Sequence, residues 1–199
     1  MAFQKGENPH HPLPGSVLTV EPVRDKKAIE RIKKLLRDQP RGLCLFVLGI
    51  NTAFRANELL SLTVGQVRSL QPGDVLRVKQ SKTGKFRSVT VNGAVVKAIS
   101  QYLAACPLPD EVFLFQGKRG CLTVPTVSTM VKTWCQHVRL KGKYGSHSLR
   151  KTWGYWQRME RGTAVPLLME AFGHATQQQT LGYLGIQAEE IAQIYELEL

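Results

Sequence analysis

No stretch of this 199-residue sequence is apolar over the roughly 20 residues that a membrane-spanning helix needs. The N-terminus also lacks the apolar core of a signal peptide, since Glu7, Asn8 and three prolines fall within the first 14 residues. These absences argue against an integral membrane protein and a secreted one. We therefore expect a cytoplasmic protein without a membrane partner.

Cysteine is scarce, and its four copies lie far apart. They are Cys44, Cys106, Cys121 and Cys135, with no Cys-x-x-Cys pair among them. Such spacing indicates neither a zinc site nor a disulfide framework. The histidines at positions 10, 11 and 137 have no partner at metal-ligand spacing. We expect reduced core cysteines and no metal site.

Basic residues are missing from the last part of the chain. No Lys or Arg follows Arg161, whereas residues 162–199 hold five glutamates. The whole chain carries a formal charge of +12, and residues 1–161 carry 27 − 10 = +17. A basic body with an acidic tail favours a polyanionic partner, and we predict nucleic acid in preference to a merely soluble basic protein.

Hydrophobic periodicity predicts an α+β fold that is mainly α-helical with a small antiparallel β-sheet, and the length suits one well-cored domain. Residues 1–19 lack apolar periodicity and are predicted to be a disordered leader or linker. The predicted helices begin at Asp25, at 42, at Glu58 with Asn57 as cap, at Asn92, at Pro125, at Ser146 as cap, at Val165, at Thr176 and at Ala188. The predicted strands cover 74–80, 86–91 and 112–115.

Several short motifs follow one another along the chain. They are TAFRANELLSL with Arg55, QSKTGK with Lys82, HSLR with His147 and Arg150, FGH with His174, and TLGYLGI with Tyr183. The i, i+3 spacing in HSLR places its two side chains on one helical face, at the end where backbone N–H groups favour a phosphate. The later gaps are 174 − 150 = 24 and 183 − 174 = 9 residues. Each motif alone is common, so the order and spacing carry the prediction.

In that order and spacing the chain resembles the tyrosine recombinase (phage integrase) family over roughly residues 20–186. The family signature is T-G-x-R-x-x-E-L-x-x-L, a hairpin Lys, H-x-x-R, G-H and Tyr. The resemblance implies the catalytic-domain fold and a site-specific DNA recombinase or integrase that forms a 3′-phosphotyrosyl link without metal, ATP or any other cofactor. It implies double-stranded DNA and a homotetramer on paired sites as partners, with DNA-bending accessory proteins left open, in a prokaryotic, phage or mobile-element setting.

The chemistry explains why these residue types are needed. A metal-free enzyme must supply cations and protons from side chains to cleave a phosphodiester, and Arg55 and Arg150 are the expected phosphate ligands. A phenol with a pKa near 10 is about one-thousandth ionised at pH 7, equivalent to roughly 4 kcal/mol. The nucleophile Tyr183 therefore needs a base. By the family roles His147 is that base and His174 a donor to phosphate, a division that the sequence leaves open.

The resemblance assigns Lys82 as the general acid for the departing 5′-oxygen, with Lys85 as the alternative. Lys85 and Arg87 would then contact DNA backbone phosphates. The competing structural interpretations are ordinary ones. Arg55 and Glu58 could form a surface ion pair, His174 could cap a helix, and Tyr183 could be a packed core aromatic, as we expect of Tyr102 and Tyr195.

Two other functions stay open at this point: a type IB topoisomerase-like strand transferase and a non-catalytic DNA-binding regulator on the same fold. Most family members carry a separate N-terminal domain. The chain is therefore expected to be either an excised catalytic domain or a short member like the fimbrial-switch invertases. Residues 187–199 are predicted to form an acidic helix whose Ile191, Ile194 and Leu197 either dock on a neighbouring subunit or pack on their own chain.

Overall fold

The computed structural model describes residues 20–79, 84, 86–118, 120–186 and 188–198. Within them the chain is mainly helical with small antiparallel sheets, so the predicted fold class is confirmed. The helices are α1 Lys26–Leu35, α2 Pro40–Asn51, α3 Ala56–Leu60, α4 Val64–Val67, α5 Gly93–Ala105, α6 Val124–His137, α7 Ser146–Arg161, α8 Val165–Phe172, α9 Gln177–Leu184 and α10 Ala188–Ala192. The strands are β1 Val75–Lys79, β2 Phe86–Thr90, β3 Gln116–Gly117 and β4 Gly120–Cys121, and a 3-10 helix covers Gln193–Glu196.

Helices α2 and α7 form the centre of the fold and bring the two arginine motifs together. Helix α2 is buried along most of its length and packs against α5 and α7. A Cβ added to Gly49 would lie 2.5 Å from Leu149 Cδ1, so only glycine permits the two helices to approach this closely. The close crossing sets the first turns of α7 beside the segment that follows α2.

Several predicted helix starts are confirmed by their caps. The carboxylate of Asp25 accepts from the Lys27 backbone N–H, and the side chain of Asn92 accepts from that of Val95. Ser146 was predicted to be a cap, but it is the first helical residue, and Gly145 precedes it in extended conformation. The Ser148 hydroxyl accepts from the Gly145 N–H at 3.1 Å, so a side chain inside the first turn does the capping instead.

The prediction that Asn57 caps a helix is wrong. Helix α3 begins at Ala56, and Arg55 occupies the cap position. The carboxylate of Glu58 accepts from the Arg55 backbone N–H at 2.6 Å, which satisfies that donor from three residues further on. The Arg55 guanidinium donates to the other oxygen of the same carboxylate, with Nη1 3.1 Å from Glu58 Oε1.

The predicted hairpin is present. Strands β1 and β2 pair antiparallel, with Val78 opposite Arg87. Its predicted tip, which holds Lys82, Thr83 and Lys85, lies outside the described residues. The strand predicted over 112–115 is wrong, because Phe113 forms only a single bridge, with Thr63. Thr63 lies in the short connection between α3 and α4, which has too few residues to extend the pairing.

The chain after α9, the helix that carries Tyr183 and is called the tyrosine helix below, differs from its prediction. The single helix expected from Ala188 is divided into α10 and the 3-10 helix. Tyr102 is buried as predicted, but Tyr195 is 84% exposed and is not a core aromatic. Cys44 and Cys135 are buried, whereas Cys106 is exposed. In the described part of the chain no helix has both the length and the apolar character needed to cross a bilayer.

Candidate active site

A buried carboxylate, Glu58, organises the cations of the site. Its side chain is 2% exposed, and its oxygens lie 3.1 Å from Arg55 Nη1, 3.4 Å from Arg87 Nε and 3.9 Å from Arg150 Nη1. We call these four residues the Glu58 cage. The burial rules out an ordinary surface pair between Arg55 and Glu58, since the carboxylate is balanced by guanidinium groups from α7 and β2 as well.

Arg150 is the innermost cation. It is 2% exposed and donates to the backbone oxygens of Ala53 and Phe172. Burial lowers its pKa to about 10, so it stays protonated at neutral pH. Ala53, where the family motif has glycine, adopts φ 56 in the left-handed region that L-residues rarely occupy. This unusual backbone carries the carbonyl that receives Arg150.

Tyr183 lies in a ring of charged and aromatic groups. Helix α9 places its Oη 3.4 Å from His147 Nδ1 at the start of α7. Its ring centroid lies 5.1 Å from that of Phe172 and 5.0 Å from that of His174. The ring is also 5.9 Å from the guanidinium carbon of Arg150. The tyrosine is packed, as the structural alternative held, yet its hydroxyl points to an imidazole.

The pKa directions fit a neutral phenol beside a neutral base. Burial raises the pKa of Tyr183, with Arg150 and Arg55 acting in the opposite direction. Burial also lowers the pKa of His147, and the same two arginines lower it further. At neutral pH the imidazole is therefore free of its second proton and able to accept one.

His174 connects α8 to the tyrosine helix. Its backbone N–H donates to Met169 at 3.0 Å and helps to end α8, so the helix-cap interpretation applies to its main chain. Its ring stacks on Phe172, and Nδ1 lies 3.1 Å from Thr180 Oγ1. Burial and the nearby Arg150 lower its pKa to about 4. The side chain is thus neutral at physiological pH and lies beside Tyr183.

Five of the six predicted catalytic residues meet in this region: Arg55, His147, Arg150, His174 and Tyr183. The arginines share Glu58, and the histidines both contact the tyrosine. The Arg55 side chain is 35% exposed, which leaves it accessible to a ligand from solvent. Lys82 and Lys85 lie outside the described residues.

Arg87 does not lie where the sequence placed it. We expected a surface contact to DNA phosphates, but Arg87 is 7% exposed and belongs to the Glu58 cage. Its guanidinium donates to the carbonyls of Ala171 and Phe172 at the end of α8. The expectation is corrected because these acceptors hold the group inside. Glu58, which no prediction assigned to the site, could have been suspected from its place in the E-L part of the first motif.

No group of three or more His, Cys, Asp and Glu side chains is arranged to hold a metal ion within the described ranges. The polar groups that do converge are the guanidinium groups around the Glu58 carboxylate and two imidazoles. Such a set matches an anionic ligand, because guanidinium groups bind phosphate oxygens in a forked geometry.

The fold and this set of groups define the catalytic domain of a tyrosine recombinase. A solved structure of the XerH site-specific recombinase, described as bound to a palindromic difH substrate in a post-cleavage complex, matches with a TM-score of 0.69. The match covers 87% of this chain and 52% of that one at 22% identity. At that identity the likeness concerns the fold alone.

Sequence comparison establishes the family. The profile of the phage integrase family matches residues 23–190, so the chain belongs to that family. It is 27% identical over 181 residues to the probable integrase/recombinase YoeC of Bacillus subtilis, covering 89% of this chain and 96% of that protein. It is 30% identical over 173 residues to the tyrosine recombinase XerC of Caldanaerobacter subterraneus subsp. tengcongensis, covering 82% of this chain. The chain spans about half of that XerC, 48% of its length.

Proposed function

We propose that this protein is a site-specific DNA recombinase that cleaves and rejoins DNA through a covalent 3′-phosphotyrosyl intermediate. The observation that carries the proposal is the position of the Tyr183 hydroxyl, 3.4 Å from His147 Nδ1 and beside the buried Arg150. A tyrosine with a base at its hydroxyl and cations around it has what an attacking phenolate requires.

The arginines bind the scissile phosphate. Arg55 and Arg150 contact its non-bridging oxygens and stabilise the charge that grows in the pentavalent transition state. Glu58 holds both guanidinium groups before DNA arrives, so little reorganisation remains for the reaction itself. His174 adds a hydrogen bond from Nε2 when its Nδ1 accepts from the Thr180 hydroxyl.

In the cleavage step the Tyr183 oxygen bonds to phosphorus while the bond from phosphorus to the 5′-oxygen breaks. His147 takes the phenolic proton, and Lys82, by its family role, gives a proton to the departing 5′-oxygen. In the second step a 5′-hydroxyl of the partner strand attacks phosphorus and gives its proton to Lys82, while the bond from phosphorus to the tyrosine oxygen breaks and that oxygen takes the proton held by His147. Each step exchanges one phosphate ester for another, so the reaction needs no ATP. The arginines, the histidines and Lys82 supply the cations and protons that a metal ion would otherwise provide.

The partners follow from the same proposal. Double-stranded DNA is the substrate, supported by the +17 charge of residues 1–161 and by the difH complex of XerH. Residues 20–186 act as the catalytic unit, and four copies assemble on two DNA sites through residues 187–199. DNA-bending proteins assist where the sites require them, in the cytoplasm of a prokaryotic host or of a cell that carries the mobile element.

A covalent trapping experiment tests the proposal. Covalent 3′ ends formed on fragmented, nicked host DNA are sequenced to find the site, and a nicked duplex of that site then serves as a suicide substrate. We expect the protein to form a covalent adduct in excess chelator, and Tyr183→Phe to form none while binding DNA equally well. Tyr155→Phe is the matched control and should retain the adduct, because Tyr155 lies in the second half of α7, against Trp156 and Arg24 and away from the site.

The other functions give different results. Tight DNA binding without any adduct indicates a regulator, and relaxation of a supercoiled plasmid that lacks paired sites indicates a topoisomerase. Cleavage that stops when Mg²⁺ is chelated would contradict the mechanism. Adduct formation by Tyr183→Phe would show that another residue is the nucleophile.

A further inference from the structure

Arg87 is a buried arginine on a strand next to a turn. It lies one residue after the start of β2, opposite Val78. Its neighbour Phe86 is 68% exposed, whereas Arg87 points into the molecule. A buried cation needs compensating partners, because an unpaired charge is strongly disfavoured away from water.

Those partners are the last carbonyls of α8 and the carboxylate of Glu58. Arg87 Nη2 donates to Phe172 O at 2.9 Å, Nη1 donates to Ala171 O, and Nε lies 3.4 Å from Glu58 Oε1. The carboxyl end of a helix carries a partial negative charge that favours a cation. The planar guanidinium therefore joins three acceptors that a lysine ammonium could not reach together.

The residue directly after these carbonyls, Gly173, allows the Arg87 guanidinium to lie close to the backbone. Gly173 has φ 59, and a Cβ added to it would lie 2.9 Å from Arg87 Nη2. A larger residue here would strain the backbone and displace the guanidinium. His174 is the next residue, so Arg87 fixes the backbone from which that imidazole extends. Phe172 O also accepts from Arg150, which places both guanidinium groups on one acceptor.

We propose that Arg87 is a positioning residue for cleavage: its guanidinium fastens β2 to the end of α8 and thereby keeps the hairpin base, His174 and the Glu58 cage in fixed relation. The inference rests on the proposed function, because it assigns a role within that reaction. The role acts through other residues and requires no contact with DNA.

Two substitutions separate geometry from charge. Arg87→Lys keeps the charge but loses the fork, and Arg87→Gln loses both. We expect single-turnover cleavage of the suicide duplex at saturating DNA to fall about 100-fold in both, the loss typical of a misplacement near 1 Å. DNA affinity and its salt dependence should not change. Arg77→Lys, on the exposed face of β1 in the same hairpin, is the matched control and should cleave at the parent rate.

An NMR titration of the His174 ring provides an independent measurement. The pKa of His174 is held low by burial first, then by Arg150, Arg55 and Arg87. Removal of the charge in Arg87→Gln should therefore raise that pKa, whereas Arg87→Lys should leave it closer to the parent value. Gly173→Ala provides a second route, since it displaces the same Nη2 atom while retaining the arginine and should also slow cleavage.

The possible outcomes separate the interpretations. If the slope of log affinity against log salt falls by about 0.9 while saturated cleavage is unchanged, Arg87 is a phosphate contact and the inference is overturned. Parent-like cleavage in Arg87→Lys and Gly173→Ala overturns it as well. If the parent protein forms no adduct, the proposed function fails. If Arg87→Gln folds and the pKa of His174 stays at the parent value, Arg87 does not lie beside His174 and the inference is overturned as well.

Discussion

The Glu58 cage and residues 188–198 differ in which kind of side chain is buried and which is exposed to solvent. In the cage, three of the four charged side chains are buried, Arg55 is 35% exposed, and each has fixed partners. In the segment after the tyrosine helix, apolar side chains face solvent: Ile194 is 71% exposed and Leu197 74%. An ion pair between Glu190 and Arg158 joins the beginning of this segment to α7. One region is complete within a single chain, whereas the other presents a surface that a partner could cover.

This difference indicates that the side chains of the Glu58 cage are held in a fixed geometry, whereas residues 188–198 are free to adapt to a partner. Desolvated guanidinium groups are costly to bury, but once paired they are held in place before substrate binds. Exposed aliphatic residues contribute little to the stability of the single chain. Substitutions in the two regions should therefore differ in their effects on chain stability and on assembly.

Removing the charge at the centre of the cage should be the most damaging change. We expect Glu58→Gln to lower the free energy of unfolding by about 3–5 kcal/mol, because Arg150 and Arg87 would keep their buried charges without the carboxylate. Urea denaturation measures this loss. Glu30→Gln is the control, since Glu30 pairs with Lys33 on the exposed side of α1 and should change stability by about 1 kcal/mol or less. Equal effects of the two changes would show that the cage does not depend on its carboxylate.

Protonation of His174 should weaken the same region more gently. Its pKa is about 4 in the folded protein against an ordinary value of 6.5. The unfolded chain therefore binds this proton more readily, so the stability associated with neutral His174 is fully present above pH 6.5 and declines as pH falls from 6.5 towards 4. NMR titration of the His174 ring gives the pKa directly.

A variant isolates this contribution from other titrating groups. His174→Asn should lose less stability between pH 6.5 and 4 than the parent protein does, as measured by urea denaturation at each pH. A His174 ring that titrates near 6.5 would indicate that the imidazole is solvated and far from the arginines.

The sequence predicted the parts of the fold where local signals agree with tertiary packing. Helix α8 begins at Val165 as expected, and Asp25 and Asn92 cap the helices that they were predicted to begin. The order of motifs named five side chains that the structure brings together, Arg55, His147, Arg150, His174 and Tyr183, because spacing along the chain is visible in sequence. These features depend on short-range chemistry, which a single sequence contains.

The inward turn of Arg87 could not be read in this way. Alternation in β2 places Arg87 on the same face as Val89, the buried face, but a charged side chain on a hairpin strand was expected to stay in solvent and contact DNA phosphates. The reason is long-range: the end of α8, 85 residues further along, supplies the carbonyl that accepts the guanidinium. The burial of Glu58 has the same origin, because α7 and β2 provide the cations that balance it.

The exposed segment should give the smallest change in the stability of the single chain and the largest change in assembly. Because Ile194 is mostly exposed, Ile194→Ser should alter the free energy of unfolding by about 0.5 kcal/mol or less. If this residue docks on a neighbouring subunit, the same change should weaken the joining of two DNA-bound complexes, seen by analytical ultracentrifugation, while binding to a single site is retained. Deletion of residues 188–199 should show the same pattern more strongly. A loss of chain stability with assembly unchanged would instead mean that the segment packs on its own chain, and the contrast with the Glu58 cage would then disappear.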